Sequence, residues 1–304
     1  MKLGILSAIM ADYSFEEMID TAAEMGYTCV EVACWPKGKA LRRYAGVTHI
    51  DIDTLDEAKR EHILSYCKQK GVSISALGYY PNPLDADLEK RETYVNHIVK
   101  LIKAAAFLGV DTIGTFIGRD QKKTVTENLA LFQEVWPPIV AWAEENKVKI
   151  AIENCPMLFT EDEWPGGQNL ATTPAILRKL YELIPSPNFG LNFDPSHFVW
   201  QKMDYLKPLH EFKDRLFHIH IKDIKVYEER LQDCGTMATP LTYMSPKLPG
   251  LGDVNWSKFV STLKEVGYTG AACVEIEDKD YEDARESIEK AMELTYQNIY
   301  SLVS

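Results

Sequence analysis

The sequence predicts an α/β fold, and within that class a single (β/α)8 TIM barrel that spans residues 1–304. Short apolar runs and long amphipathic segments alternate along the whole chain, as strands and crossover helices do in a parallel sheet. The apolar runs number eight and are nearly continuous, which is typical of strands that are buried on both faces. Because no linker rich in proline, glycine or serine interrupts this pattern, we expect one domain.

The predicted strands and helices have recognisable boundaries. In chain order, the strands are predicted at residues 2–8, 27–34, 72–78, 110–117, 148–154, 188–194, 216–222 and 270–277. The first helix is predicted to follow Ser14, because Glu17 completes a capping box with it, and to end at Gly26. Three connections after strands, at 79–87, 155–171 and 224–254, are long and polar, and such loops often cover a ligand at the mouth of a barrel.

Charge and composition exclude several classes of protein. The chain has 46% hydrophobic and 26% charged residues, which is ordinary for a globular protein, and its formal net charge is -12. A surface with this balance repels phosphate backbones, so we expect no nucleic-acid partner. Since no window approaches 18 uncharged apolar residues, we expect no membrane partner and a cytoplasmic location. The six cysteines lack CxxC spacing, which indicates buried reduced thiols.

Ionisable residues end four consecutive predicted strands. They are Glu153 on the fifth strand, Asp194 and His197 on the sixth, His218, His220, Lys222 and Asp223 on the seventh, and Glu275 and Glu277 on the eighth. In a barrel these strand ends converge on one axis at the carboxyl-terminal mouth. An acidic side chain in such an apolar strand costs several kcal/mol to bury unless it is paired or bound to a metal. The pattern therefore favours an active site over four unrelated strand ends.

A divalent cation is the natural partner of such a cluster. Several carboxylates and an imidazole suit Mn²⁺, Mg²⁺ or Co²⁺, whereas structural zinc sites prefer thiolates. Strand alternation cannot separate His218 from His220, or Glu275 from Glu277, because residues two apart face the same side. The residues alone leave both of these choices open.

Five segments of the chain, in order, resemble the xylose-isomerase-like sugar phosphate isomerase/epimerase superfamily. They are IAIENCPM, GLNFDPSHFVWQ, RLFHIHIKD, LPGLGDVNW and GYTGAACVEIED. The resemblance implies a metal site formed by Glu153, Asp194, His220 and Glu275, with Mn²⁺ as the expected metal and Mg²⁺, Co²⁺ or Zn²⁺ as alternatives. It also implies that Glu153 and Glu275 act as the acid and base.

The same resemblance assigns His197 and Lys222 to substrate oxygens and leaves His218 in a supporting role. Two further side chains are predicted to bind substrate. Trp35 could pack on the apolar face of a sugar ring, as could Trp164 and Trp200, although packing in the core or in a lid is the alternative for each. Arg119 could bind a carboxylate or phosphate, and a surface ion pair is its alternative.

These residues predict an enzyme that moves a proton next to a sugar carbonyl, that is, a metal-dependent isomerase or epimerase of a small sugar or sugar derivative. The alternative is a lyase on a keto-sugar, either an inosose-type dehydratase or a deglycosidase subunit for 3-keto-glycosides or C-glycosides. The resemblance further implies a homo-oligomer, a dimer or tetramer, and leaves room for a small partner subunit. Endonuclease IV relatives need further histidines that the third and fourth strand ends lack, so DNA repair is not expected.

Overall fold

Eight parallel strands close into a barrel in the computed structural model, which describes residues 1–38, 44–158 and 167–303. This closed parallel sheet, flanked by helices, confirms the predicted (β/α)8 class. The barrel strands are β1 (Lys2–Leu6), β2 (Cys29–Ala33), β3 (Ser73–Gly78), β4 (Thr112–Thr115), β5 (Lys149–Glu153), β6 (Phe189–Phe193), β7 (Leu216–Ile221) and β10 (Ala271–Val274).

Around the barrel the strands are neighbours in the order β1, β10, β7, β6, β5, β4, β3 and β2. Each lies inside one of the eight predicted runs, and all eight are shorter, because residues at one or both ends of a run lie outside the hydrogen-bonded ladder. The register pairs Glu153 with Asn192 and His220 with Cys273, so polar residues of adjacent strands reach the same height.

The helices pack outside the barrel, and they are α1 (Phe15–Glu24), α2 (Glu57–Lys70), α3 (Leu88–Leu108), α4 (Val125–Asn146), α5 (Pro174–Leu183), α6 (Ser196–Val199), α7 (Lys207–Glu211), α8 (Glu228–Cys234), α9 (Trp256–Glu265) and α10 (Arg285–Val303). Ser14 and Glu17 form the predicted capping box at the start of α1. Among the described residues, no helix combines the length and apolar character that crossing a bilayer requires. All six cysteines are free thiols, and four of them are buried.

The long, polar connection predicted at 224–254 contains regular structure. Strands β8 (Asp223–Val226) and β9 (Met244–Lys247) pair in antiparallel fashion, with helix α8 between them. This small unit has its own apolar cluster, in which Ile224, Val226, Leu231 and Tyr243 pack with Trp200. The two strands are short and lie outside the barrel, which explains why the sequence pattern did not indicate them.

Asp223 attaches the segment at 250–256 to the end of β7. Its carboxylate accepts hydrogen bonds from the backbone N–H groups of Ile224, Gly250, Gly252 and Val254, at 2.9 to 3.2 Å. The indole N–H of Trp256 donates a fifth bond at 2.8 Å. Asp223 is fully buried, so its carboxylate is the partner on which these donors depend.

Replacing Asp223 by alanine should destabilise the protein by about 3–5 kcal/mol, because buried N–H groups would lose a charged acceptor. Urea unfolding followed by circular dichroism measures the change in the free energy of unfolding. Asp204→Ala is the matched control, since the Asp204 carboxylate also accepts from two backbone N–H groups but is half exposed. A loss for Asp223→Ala no larger than that for Asp204→Ala would refute this role.

Candidate metal centre and active site

The predicted ligands stand at the carboxyl ends of four barrel strands. Glu153 is the last residue of β5, Asp194 directly follows β6, His220 lies near the end of β7, and Glu275 directly follows β10. The backbone N–H of Glu275 donates to the carbonyl of Ile221, which holds the ends of β10 and β7 together. The barrel therefore brings residues that are far apart in the sequence to one mouth, as the strand pattern predicts.

Nδ1 of His220 faces two of the glutamates. It lies 3.2 Å from Oε2 of Glu275 and 3.7 Å from Oε1 of Glu153. One oxygen of Glu153, one of Glu275 and one His220 nitrogen lie close enough together to bind the same ion. All three side chains are buried or nearly so, which keeps water from screening their charges.

Asp194 joins the cluster through His197. Nε2 of His197 is 3.1 Å from Oδ2 of Asp194 and 3.6 Å from Oε1 of Glu153. The other Asp194 oxygen accepts the backbone N–H of Ser196 at 2.7 Å, which fixes the carboxylate at the start of α6. The structure thus places Asp194 and His197 beside Glu153, at the same end of the barrel.

Three of the four predicted ligands have a buried atom that makes no hydrogen bond within the described part of the chain. These atoms are Oδ2 of Asp194, Nδ1 of His220 and Oε2 of Glu275. A buried acceptor without a partner costs about 1–3 kcal/mol, and more when it is charged. Three such atoms at one mouth fit a divalent cation, since oxygen ligands with one imidazole suit Mn²⁺, Mg²⁺, Co²⁺ or Zn²⁺.

The electrostatics of the cluster also demand a positive charge. Burial alone would lower the pKa of His220, but the charges of Glu31 and Glu153 outweigh burial and hold the pKa well above its usual value. Burial would raise the pKa of Glu153, yet His220 and His197 hold the pKa below its usual range. The imidazoles of His220 and His197 therefore favour the ionised form of the Glu153 carboxylate.

Lys222 contacts both of the glutamates that alternation could not distinguish. Its ammonium contacts Oε1 of Glu275 at 3.2 Å and Oε2 of Glu277 at 2.6 Å. Glu275 also reaches His220, and this contact distinguishes it from Glu277. Burial would lower the pKa of Lys222, but Glu275 and Glu277 hold it well above its usual value, so the lysine is a fixed positive charge. Contact with substrate oxygens remains a prediction for Lys222.

A buried polar group that the sequence did not single out lies below the predicted ligands. Oε2 of Glu31, on β2, is 2.8 Å from Nε2 of His220 and 3.5 Å from Nδ1 of His218. Tyr80 donates its hydroxyl proton to Glu31, and the amide nitrogen of Asn192 lies 2.9 Å from Nε2 of His220. The sequence contained one signal of this group, because Glu31 is the single acidic residue inside the apolar run YTCVEVAC.

His218 supports this group rather than facing the mouth. Burial lowers the pKa of His218 to about 4, so the ring is neutral near pH 7. Sequence reasoning also left out Cys155 as a site residue. Its sulfur lies close to His197 and Glu153. Its position two residues after Glu153 was the available signal.

Trp35, Arg119, Trp164 and Trp200 are the remaining residues predicted to contact the substrate. The ring of Trp35 packs edge-on against Tyr79, with 4.8 Å between centroids, and is half-buried. Arg119 lines a cavity of about 640 Å³ together with Asn82 and Asp120, and none of the predicted ligands lines that cavity. Trp200 packs in the hairpin cluster, and Trp164 lies outside the described residues.

Comparison with known proteins gives matches over most of the chain. The family described as xylose isomerase-like TIM barrel matches residues 19–297. The chain is 25% identical to the uncharacterized protein YfiH of Bacillus subtilis over 308 residues, which cover 91% of this chain and 93% of YfiH. A shorter stretch of 113 residues is 31% identical to inosose dehydratase of Clostridium perfringens and covers 36% of this chain and 38% of the dehydratase.

Among solved structures, a D-psicose 3-epimerase determined in the presence of D-fructose has a similar fold. Its TM-score is 0.73 at 16% sequence identity, and the match covers 100% of this chain and 99% of that chain. At this level of identity the likeness concerns the fold alone.

Divalent metal should stabilise the protein if the four predicted ligands form a metal site. At a free Mn²⁺ concentration 100 times Kd, the expected gain is about 2.7 kcal/mol, seen as a rise in Tm. Asp194→Asn removes one charged oxygen and should reduce this rise. The control is Asp278→Asn, because Asp278 is also buried beyond β10 but contacts Lys247 at 3.0 Å. An equal rise in Tm for Asp194→Asn and the wild type would remove Asp194 from the site.

Proposed function

Because the chain belongs to the xylose isomerase-like TIM barrel family, we propose that it is a divalent-metal-dependent sugar isomerase or epimerase. The observation that supports this proposal best is the arrangement around Nδ1 of His220. Glu275 and Glu153 approach that nitrogen from β10 and β5, which lie on either side of β7 in the barrel. The site therefore offers two carboxylates to a substrate held between them.

The reaction proposed is the transfer of a proton at a carbon next to a carbonyl group. Glu153 and Glu275 are assigned as the acid and base, so that one carboxylate removes the proton and the other returns one. A divalent cation, when bound by Glu153, Asp194, His220 and Glu275, supplies positive charge that offsets the negative charge developing on the substrate oxygens. Lys222 holds Glu275 through its ammonium and limits the orientations of that carboxylate.

We assign Mn²⁺ as the preferred metal, with Mg²⁺, Co²⁺ or Zn²⁺ as alternatives. Three of the four assigned ligands are carboxylates, and carboxylate oxygens suit hard cations, while the imidazole of His220 widens the range to softer ones. Buried ligands fixed on strands also give a site of defined size. Loading the metal-free protein with each of these ions in turn, and measuring the activity of each form, would rank the ions.

The proposed substrate is an unphosphorylated sugar or sugar derivative. The fold is shared with a structure described as a D-psicose 3-epimerase, which supports a ketose as the first substrate to test. His197 is assigned to a substrate oxygen because its Nε2 is buried beside Asp194 and Glu153 without a hydrogen bond among the described residues. Trp35 and Arg119 are proposed to contact more distant parts of the sugar.

A lyase is the second candidate. It is favoured by the segment that is 31% identical to inosose dehydratase. Elimination of water or of an aglycone from a keto-sugar begins with the same proton removal, so the same pair of glutamates would serve. The two candidates differ in the product, since an epimerase releases a sugar of the same composition and a lyase releases two molecules.

Solvent deuterium exchange tests the proposal directly. Metal-loaded protein in D₂O should introduce deuterium next to the carbonyl of at least one keto-sugar in a broad panel, as seen by mass spectrometry and NMR. Release of water or aglycone in place of an epimer would identify the lyase. Neither exchange nor release across the panel would overturn both candidates.

Glu153→Gln and Glu275→Gln should each lower turnover by at least about 10²-fold, because an amide cannot accept or donate the transferred proton. Each variant keeps the size of the side chain, and circular dichroism checks that the fold is retained. Asp278→Asn, with its carboxylate on Lys247, is the control and should keep turnover near that of the wild type. Unchanged turnover in either glutamine variant would remove that glutamate from the mechanism.

A further inference from the structure

We infer that Glu31 is the positioning residue for His220, and that it directs Nδ1 of that ring towards the metal site. The inference rests on the proposed metal site and adds a residue to it. Glu31 lies on β2, across the barrel interior from β7, and its side chain is fully buried. Oε2 of Glu31 is 2.8 Å from Nε2 of His220, which is a hydrogen bond between a carboxylate and an imidazole.

This hydrogen bond distinguishes the two nitrogens of the His220 ring. A carboxylate is only an acceptor, so Nε2 carries the hydrogen that it donates to Glu31, and this tautomer requires the Asn192 amide, 2.9 Å from Nε2, to turn its oxygen towards the ring. In the neutral ring the lone pair then lies on Nδ1, the atom that faces Glu275 at 3.2 Å and Glu153 at 3.7 Å. Metal-binding histidines commonly donate their other N–H to a carboxylate, which fixes both the tautomer and the ring orientation.

The carboxylate of Glu31 is itself held in place. The Tyr80 hydroxyl, just beyond β3, donates to Oε1, which leaves Oε2 for His220. Two glycines make room for this pair. A Cβ atom at Gly78 would lie 2.7 Å from Oε1 of Glu31, and a Cβ atom at Gly114 would lie 2.9 Å from the same oxygen and overlap the Tyr80 hydroxyl.

A structural role alone does not explain this arrangement. An isolated carboxylate in the barrel interior costs several kcal/mol to bury, and an apolar side chain would fill the space without that cost. His218 adds a second contact, since its Nδ1 lies 3.5 Å from Oε2 of Glu31 while its Nε2 is 3.2 Å from the hydroxyl of Ser75. The group at Glu31 is thus built around the two histidines of HIHIKD and ends at the metal ligand.

Isothermal titration of the metal-free protein with Mn²⁺ tests the inference without depending on activity. Glu31→Gln keeps the shape of the side chain but removes its charge, and we expect Kd for Mn²⁺ to rise about 10–100-fold. Tyr80→Phe removes the donor that orients Glu31 and should raise Kd by a smaller factor. The visible spectrum of Co²⁺-loaded protein should change in both variants, because the geometry of the His220 ligand changes.

Tyr27→Phe is the matched control for Tyr80→Phe. The buried Tyr27 hydroxyl donates to the carbonyl of Met292 at 2.9 Å, away from His220, so its loss should affect stability but not Kd. Circular dichroism and thermal unfolding confirm that each variant is folded. If Glu31→Gln does not fold, Tyr80→Phe decides.

A Kd within twofold of the wild type in folded Glu31→Gln would overturn the role of Glu31 and leave the proposed function intact. With Tyr80→Phe as the deciding variant, an unchanged Kd and an unchanged Co²⁺ spectrum would have the same effect. A wild-type protein that binds no metal would instead overturn the metal site, and the role of Glu31 with it.

Discussion

The requirement that governs this site is charge balance inside a protein interior. The barrel mouth gathers Glu153 and Glu275 around His220 and places Asp194 beside His197, and the negative charges of these carboxylates repel one another strongly where water is excluded. Such a group is stable only with positive charge among its members. Lys222 and His197 supply part of it, and a divalent cation bound by His220 would supply the rest. The placement of the surrounding side chains follows from this need.

How much of this could be predicted from sequence depended on whether the signal was local. The eight strands were recoverable because each is a continuous apolar run, and the residues at the strand ends were recoverable because one fold brings all such ends together. The choice between Glu275 and Glu277 could not be made from the sequence, because alternation gives both residues the same face. In the structure both contact Lys222, and Glu275 also lies 3.2 Å from Nδ1 of His220.

Glu31 and the hairpin of β8 and β9 show why the rest could not be predicted. Glu31 meets His220 across the barrel, at a separation of 189 residues, and no period in the sequence encodes that contact. The glycines at 78 and 114 that make room for it read simply as small residues within strands. The hairpin buries its own small cluster against Trp200, so its strands are too short to show a clear pattern.

Lys222 and Asp223 are neighbours in the chain, but their side chains contact different parts of the protein. Lys222 holds Glu275 at the mouth, and Asp223 binds the backbone of the segment at 250–256. One peptide unit therefore lies between the side chain that binds the segment at 250–256 and the side chain that contacts Glu275. The path from that segment to the Glu275 carboxylate runs through the Asp223 side chain, one planar peptide group and the Lys222 side chain. Two adjacent residues of the chain therefore support both the fold of the segment at 250–256 and the orientation of Glu275.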